Sequence, residues 1–170
     1  MYQSIKFLLL TCLLLVCSTK HLSAQTTSYN ELQAIYLYNF AKYTTWPGEF
    51  TAFVVGVYDD EAIHNIVNKK LEGKKIKGHP IKVMLIESDE EAKKCHILYI
   101  SDPSSKNLSS VIESVQQKNI LIVTERDLIK KGAMVSFLLI DNKLRFKINE
   151  EAIRNTQMTV SDGLIGLALK

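Results

Sequence analysis

Apolar positions recur with a helical period near the start of the chain and in strand-like runs after it. Between residues 31 and 43 they occupy two opposite faces of a helix, with narrow polar seams between them. One face carries Leu32, Ile35, Tyr36, Asn39, Phe40 and Tyr43, and the other carries Ala34, Leu37, Tyr38 and Ala41. A helix that is apolar almost all round is either deeply buried or shares one face with a partner. Trp46-Pro47-Gly48 ends the pattern, because proline disfavours helical backbone at the residue before it.

After Gly48, short apolar runs alternate with short amphipathic stretches. The runs predict strands at residues 52–58, 81–86, 96–100 and 120–123. The stretches between them predict helices at residues 60–71, 89–94, 108–117 and 126–131. Continuous apolar strands are typical of parallel sheets that are covered on both faces. Strands that alternate with helices predict right-handed crossovers and a parallel α/β sheet.

The carboxyl-terminal part of the chain has a different pattern. Residues 134–140 are apolar, Asp141-Asn142 is typical of a two-residue turn, and apolar residues then alternate with polar ones up to Asn149. This pattern predicts an antiparallel hairpin. A short helix is expected at residues 150–155, whereas residues 158–169 are compatible with either a strand or a helix.

These elements predict one α/β domain over residues 30–170. We expect a mainly parallel sheet of about five to six strands with helices on both faces. The antiparallel hairpin is expected to close the sheet at its carboxyl-terminal edge.

Residues 1–24 have the features of a secretory signal peptide. Lys6 supplies a basic start, the apolar run from Phe7 to Val16 follows, and a polar region ends at the small residue Ala24. The run is about half the roughly 20 apolar residues that a membrane-spanning helix needs. The pattern therefore predicts cleavage after Ala24 and export to the periplasm. Lipid attachment at Cys17 is the alternative, but the bulky Val16 is atypical of such sites.

Cleavage changes what the composition implies. The chain has a net charge of +3 and a pI near 8.7, but residues 1–24 contain Lys6 and Lys20 and no acidic residue, so the remaining 146 residues carry +1. A near-neutral exported domain lacks the basic footprint of a nucleic-acid-binding protein. Cys12 and Cys17 leave with the signal peptide, so Cys95 has no internal disulfide partner.

The motifs in the chain argue against an enzyme, a cofactor and a metal site. The loop after the first predicted strand carries Asp59-Asp60 where a dinucleotide-binding fold has glycines. The histidines His64, His79 and His96 lack paired metal-ligand spacing. Cys95 precedes His96 directly, so a strand points their side chains to opposite faces. A lone apolar cysteine is also more often a packing residue than a nucleophile.

A basic segment, Lys74-Lys75-Ile76-Lys77, lies between Gly73 and Gly78. We expect it to form a solvated loop. Contact with an anionic ligand or a lipid headgroup is the alternative interpretation.

The aromatic helix at residues 31–43 has two interpretations as well. It either covers the sheet as a core helix or forms a dimer or partner surface. Aromatic side chains are enriched at binding hot spots. The residues of that surface would be Tyr36, Tyr38, Phe40, Tyr43 and Trp46.

Four segments, in this order and spacing, resemble the YfiR family of periplasmic proteins. The family pattern includes a Tyr-Leu-x-Asn-Phe-x-Lys helix that ends in Trp-Pro, and a Phe-x-Ile-Asn hairpin strand. The matching segments here are Ala34–Tyr43 with Trp46-Pro47, Phe53–Asp60, Cys95-His96-Ile97-Leu98-Tyr99-Ile100, and Leu144-Arg145-Phe146-Lys147-Ile148-Asn149. Each segment alone is weak, but the set covers nearly all of the chain after the signal peptide.

The resemblance implies a regulator rather than an enzyme. Such proteins bind the periplasmic sensor part of an inner-membrane diguanylate cyclase and hold it inactive, which limits cyclic-di-GMP and biofilm formation. The expected partner is therefore an inner-membrane sensor protein, either a diguanylate cyclase or a histidine kinase. Family members can also be dimers. A periplasmic small-molecule-binding sensor protein that acts on a membrane receptor is the alternative.

The expected contact residues lie on the aromatic helix and on the hairpin strand. They are Tyr36, Tyr38, Phe40, Tyr43, Trp46, Phe146, Ile148 and Asn149. Some family members respond to redox conditions through disulfides, and Cys95 matches a family cysteine. Because Cys95 has no partner cysteine after cleavage, disulfide gating is not expected here.

Overall fold

A seven-stranded, mostly parallel sheet organises residues 29–170, the part of the chain that the computed structural model describes. The predicted signal peptide at residues 1–24 lies outside the described residues. The helices are α1 (residues 29–43), α2 (Glu61–Leu71), α3 (Asp89–Ala92), α4 (Leu108–Ser114), α5 (Glu150–Arg154) and α6 (Asp162–Leu167). The strands are β1 (Thr44–Thr45), β2 (Phe53–Tyr58), β3 (Lys75–Ile76), β4 (His79–Ile86), β5 (Ile97–Ile100), β6 (Leu121–Thr124), β7 (Val135–Ile140), β8 (Lys143–Ile148) and β9 (Thr159–Val160).

The strand order in the sheet is β3-β4-β2-β5-β6-β7-β8. The five strands β4, β2, β5, β6 and β7 run parallel, while β3 and β8 pair antiparallel at the two edges. The predicted α/β class, mainly parallel sheet and carboxyl-terminal hairpin are thus confirmed. The sheet has more strands than expected because β3 adds a two-residue edge strand within the predicted basic loop.

Two apolar cores cover the two faces of the sheet. On the first face, Phe53, Val55 and Val57 of β2 lie beneath α1 and α2, together with residues of the carboxyl-terminal segment. On the second face, Leu98 and Ile100 of β5 pack against α3 and α4. The central strands are therefore covered on both sides, which is the reason for their unbroken apolar sequences.

Gly56 allows this double packing in the middle of β2. A Cβ atom at this position would lie 2.5 Å from Cys95 Sγ and 2.8 Å from Ile86 Cγ1. These distances are well below van der Waals contact, so any other side chain would displace the second core.

The carboxyl-terminal segment forms both a strand and a helix. Strand β9 pairs antiparallel with β1, placing Thr44 opposite Val160, and α6 follows it. Leu169 then bridges to Lys147 of β8. The segment is thus built on pairings with distant residues, which local patterns do not encode.

Candidate functional site

Helix α1 buries one face and exposes the other. Ala34, Leu37, Phe40 and Ala41 are completely or almost completely buried against the sheet. On the opposite side, the side chains of Leu32 and Ile35 are each 40% exposed and Tyr43 is 46% exposed. We call these three residues the exposed apolar stripe. One face of the helix thus covers the sheet, as the core-helix interpretation predicts, and the other face leaves apolar side chains accessible.

A group of aromatic rings fixes α1 on the β7–β8 hairpin. The Tyr36 ring centroid lies 5.8 Å from that of Phe137 and 5.5 Å from that of Phe146. The Phe40 centroid lies 5.7 Å from Phe137 and 5.2 Å from Phe146. The Phe40–Phe137 pair is stacked and the other three are edge-to-face, and such contacts add about 0.5–1.5 kcal/mol per pair beyond the burial itself. The stripe is consequently displayed on a rigidly packed helix.

The structure separates the predicted contact residues into buried and accessible ones. Phe40, Trp46 and Phe146 are buried in the core, where a partner does not reach them in this conformation. Tyr36, Tyr38 and Ile148 are half-buried, and Tyr43 is exposed. Asn149 is half-buried and caps α5, since its Oδ1 accepts a hydrogen bond from the Ala152 amide at 3.0 Å.

Accessible apolar residues that the prediction left out lie beside these. Leu32 and Ile35 complete the stripe on α1. Leu139 and Ile140, which we call the hairpin tip, are 57% and 43% exposed at the end of β7. The helical period already grouped Leu32 and Ile35 with Tyr43. Which of the two apolar faces packs on the sheet depends on the tertiary structure.

A second cluster of rings surrounds Trp46 at the amino end of β2 and β5. The indole Nε1 of Trp46 donates a hydrogen bond to the carbonyl of His96 at 3.2 Å, and its ring packs edge-on against Phe53. The amide of Val54 donates to Nδ1 of His96 at 3.0 Å, so the histidine proton lies on Nε2. Burial lowers the pKa of His96. This cluster therefore holds a neutral histidine and fixes the start of the two central strands.

Polar groups collect at the opposite, carboxyl end of the sheet beneath the start of α1. The hydroxyl of Tyr99 donates to Oε1 of the buried Gln33 at 3.0 Å. The amide of Asp102 donates to Glu125 Oε2 at 2.6 Å, and burial raises the pKa of Glu125. A cavity of about 410 Å³ opens here between Tyr29, these acidic groups and the end of β7. Open α/β sheets bind ligands at this end, and the volume is in the range of small-molecule sites.

Cys95 lies in the second core, away from solvent. It is a free thiol, and burial raises its pKa to about 12. A thiol that stays protonated reacts slowly with disulfides and oxidants. Within residues 29–170, no group of three or more His, Cys, Asp or Glu side chains could hold a metal ion.

None of the helices described is long and apolar enough to cross a membrane. A comparison with protein-family models matches residues 30–169 to the model described as YfiR/HmsC-like. The match begins in the first described turn of α1 and ends at Leu169, so it includes both cores and the exposed apolar stripe. No curated protein matches the chain.

Proposed function

The chain belongs to the YfiR/HmsC-like family, and from this membership we propose that it holds a membrane-bound diguanylate cyclase inactive through the periplasmic sensor domain of the cyclase. The family match confirms the resemblance found in the sequence motifs, and the family is one of periplasmic regulators associated with inner-membrane signalling partners. The alternative partner is a histidine kinase, another inner-membrane protein with a periplasmic sensor domain. Export follows from the signal peptide predicted at residues 1–24, with cleavage after Ala24.

The exposed apolar stripe is the observation that carries the proposal. Its three side chains extend over about 16 Å of the axis of α1. Large apolar side chains grouped on one rigid surface are typical of protein-binding sites. Charged residues border the stripe: Glu31 pairs with Lys70 at 3.1 Å, and the Lys42 ammonium lies 5.3 Å from the Tyr43 ring centroid. An apolar centre with a charged rim is the usual anatomy of an interface.

Inhibition requires that the protein bind the inactive form of the partner more tightly than the active form. The stripe supplies the affinity, and the aromatic packing of Tyr36 and Phe40 on the hairpin keeps it in one orientation. Phe40, Trp46 and Phe146 then contribute indirectly, by holding α1 in place. Tyr43 and the accessible edge of Tyr36 contact the partner directly.

We test this function with the double substitution Leu32→Asp/Ile35→Asp. Both side chains are 40% exposed, so we expect little loss of stability, whereas two carboxylates in an apolar interface should weaken binding at least about 100-fold. The measurements are titration calorimetry with the isolated sensor domain of the cyclase and the cyclic-di-GMP level in cells. Binding should weaken, and cyclic-di-GMP should rise to the level of a deletion strain.

Leu167→Asp is the matched control, because Leu167 is an exposed leucine of α6, outside the stripe, with 72% of its side chain accessible. It should keep both partner binding and the low cyclic-di-GMP level. Unchanged binding and repression in the Leu32→Asp/Ile35→Asp variant would contradict the proposed surface. Loss of repression in the control as well would point to a general effect on the fold.

The same stripe is available to a second copy of the chain. A homodimer built on it would compete with the signalling partner and reduce inhibition at high protein concentration. Sedimentation equilibrium decides this point: a wild-type dimer that Leu32→Asp/Ile35→Asp converts to a monomer places the dimer interface on the stripe. A dimer that persists in the variant uses a different surface.

A small-molecule sensor is the second candidate function, and the cavity at the carboxyl end of the sheet favours it. Tyr29 and Glu125 line this cavity of about 410 Å³ directly below the amino end of α1. A ligand there would contact the helix that carries the stripe and could change its position. Thermal-shift measurements with nucleotides, amino acids and other small metabolites test the idea. If no compound in the panel changes the melting temperature, the sensor function is excluded, and the proposed inhibitor function is unaffected.

A further inference from the structure

The two ends of the parallel sheet differ in their balance of charged residues. Every parallel strand begins at one end of the sheet, the amino end, and finishes at the other, the carboxyl end. The loops at the carboxyl end contain acidic residues, namely Asp59, Asp60, Glu61, Glu87, Asp89, Asp102, Glu125 and Asp141. The connections at the amino end and the edge strand β3 contain exposed lysines, namely Lys74, Lys75, Lys77, Lys93, Lys94, Lys118, Lys130 and Lys131. We call the second group the basic end.

Helix capping explains only part of this division. The α2 helix has Glu61 in its first turn and Lys69 and Lys70 in its last, as the helix dipole favours. The lysines at positions 75, 77 and 118 lie outside every α-helix, so no helix dipole stabilises them. Their position at the same end of the sheet suggests a function beyond helix stability.

Few acidic groups neutralise the basic end. Lys93 pairs with Glu90 at 2.5 Å, and Glu150 pairs with Arg154 at 3.7 Å. Glu49, Glu72 and Glu151 are further acidic residues at this end. Lys75, Lys77 and Lys118 are exposed and form none of the ion pairs found among the described residues. The domain therefore combines a net charge near zero with a strongly positive end.

We propose that the basic end docks on the anionic phospholipid headgroups of the membrane that carries the signalling partner. The choice of a membrane rests on the proposed function, since that partner is membrane-bound. The lysines are spread over four separate connections of the sheet. Lys77 borders a cavity of about 480 Å³ and Lys118 a different one of about 340 Å³, so no single pocket gathers the lysines, and their spread suits a planar charged surface. Lysine is also a flexible point charge, and such groups bind headgroups without demanding one fixed geometry.

Docking in this orientation leaves the stripe accessible. Helix α1 extends from the carboxyl end, where Tyr29 lines the cavity, to the amino end, where Trp46 follows it against His96. Leu32 and Ile35 therefore lie on the side of the domain, between its two ends, whereas Tyr43, the last residue of α1, lies toward the basic end. With the basic end on the membrane, the stripe faces sideways toward a sensor domain anchored in the same bilayer.

The experiment measures sedimentation of the exported protein with vesicles of phosphatidylcholine alone or of phosphatidylcholine and phosphatidylglycerol in equal parts. We expect binding to the anionic vesicles at about 50 mM salt, loss of most of it at about 300 mM salt, and none to the neutral vesicles. Each lysine near an anionic surface accounts for about fivefold in the partition coefficient, so Lys75→Glu/Lys77→Glu should reduce it at least about 25-fold.

The matched control is Lys106→Glu/Lys143→Glu, which changes the net charge equally but replaces exposed lysines at the carboxyl end. It should reduce the partition coefficient less than about threefold. Equal losses in the two variants would overturn the proposal, because net charge alone would then govern binding. Absence of binding to anionic vesicles at low salt would overturn it as well.

An acidic protein surface is the competing interpretation of the basic end. If Lys75→Glu/Lys77→Glu weakens binding to the isolated, lipid-free sensor domain and vesicle binding is absent, the lysines contact the partner protein and the membrane proposal is wrong. The Leu32→Asp/Ile35→Asp variant keeps the two proposals separate. It should bind vesicles like the wild type, so failure of the stripe and failure of membrane docking give different results.

Discussion

His96 connects two central strands through its side chain and its backbone. Its Nδ1 accepts the Val54 amide at 3.0 Å, its own amide donates to the Val54 carbonyl at 2.9 Å, and its ring stacks on Phe53 at 4.6 Å. Protonation of Nδ1 would remove the acceptor of the Val54 amide. Burial disfavours that protonation and lowers the pKa of His96 from the ordinary value of 6.5.

The first prediction is that acidification destabilises the fold through His96. The unfolded chain binds the proton more readily than the folded one, so this contribution to stability is complete above pH 6.5 and is lost as the pH falls toward the lower folded pKa. Urea unfolding at about pH 7.5 and about pH 5 measures the difference.

His96→Asn is the control for this prediction, because Asn Oδ1 can accept the Val54 amide but does not titrate. Its free energy of unfolding should change less between the two pH values than that of the wild type. Glu125, whose pKa burial raises, favours the fold on acidification, but it contributes equally to both proteins and cancels in the comparison. The same pH dependence in both proteins would exclude His96 as its source.

Phe146 has a different role in the structure from the one that the sequence suggested. The family resemblance made it a candidate contact residue, but its side chain is only 3% exposed and touches both Tyr36 and Phe40. Burial of one face of the hairpin was predictable from the alternation. The sequence did not show that α1 covers this face, because α1 and the hairpin lie far apart along the chain.

The second prediction follows from that burial. Phe146→Ala should lower the free energy of unfolding by about 3–5 kcal/mol, because it leaves a cavity beneath α1. Tyr43→Ala, at a ring 46% exposed, should cost less than about 1 kcal/mol. Chemical denaturation of the two variants compares them. A small effect of Phe146→Ala would mean that α1 is not held by this ring.

At the scale of elements, β2 shows how one position depends on the neighbouring strands. Gly56 is flanked by Cys95, Ile86 and Leu98, all within 3.0 Å of the place of a Cβ atom. The sequence pattern alone gives no reason for a glycine in this buried strand, because the residues that require it lie in β4, in β5 and just before β5. Cys95 packs with Ile86 and Leu98 in the second core, over the space that Gly56 leaves free.

The third prediction concerns this contact. Gly56→Ala should destabilise the domain by about 1–3 kcal/mol through overpacking of the second core. Cys95→Ala removes the Sγ atom at 2.5 Å, so the double variant should be less destabilised than the sum of the two single variants. A double-mutant cycle of unfolding free energies gives the coupling. Strict additivity would mean that the backbone shifts to separate the two side chains.

Elements with a strong local pattern were predictable, and elements that form by distant pairing were not. The apolar run of β2 and the Asp141-Asn142 turn, whose φ angles are 49° and 57°, are encoded within a few residues. Strands β3 and β9 have two residues each. They form only because β3 pairs with β4 and β9 pairs with β1. The sequence identified α1 as a helix. Because both of its faces are apolar, the sequence did not show which face packs against the sheet.

At the scale of the whole molecule, topology creates properties that composition conceals. A net charge near zero argued against a nucleic-acid partner, yet the order of the parallel strands groups eight exposed lysines at one end of the sheet. The α/β class came from the alternation of elements along the chain, but the separation of charges required the strand order. Candidate surfaces of this kind emerge once loops distant in sequence are brought together.

The pairing of β1 with β9 also determines when the domain can be completed. Thr44 lies opposite Val160, and the Ser161 amide donates to the carbonyl of Tyr43, the last residue of α1, at 3.0 Å. A chain that emerges amino end first, from a ribosome or through a membrane channel, presents β1 long before β9. Closure over so long a loop is slow, so the helix that displays the stripe is secured only after the final segment arrives. The exposed apolar stripe is therefore fixed in place last, and an incomplete chain does not present it in its final form.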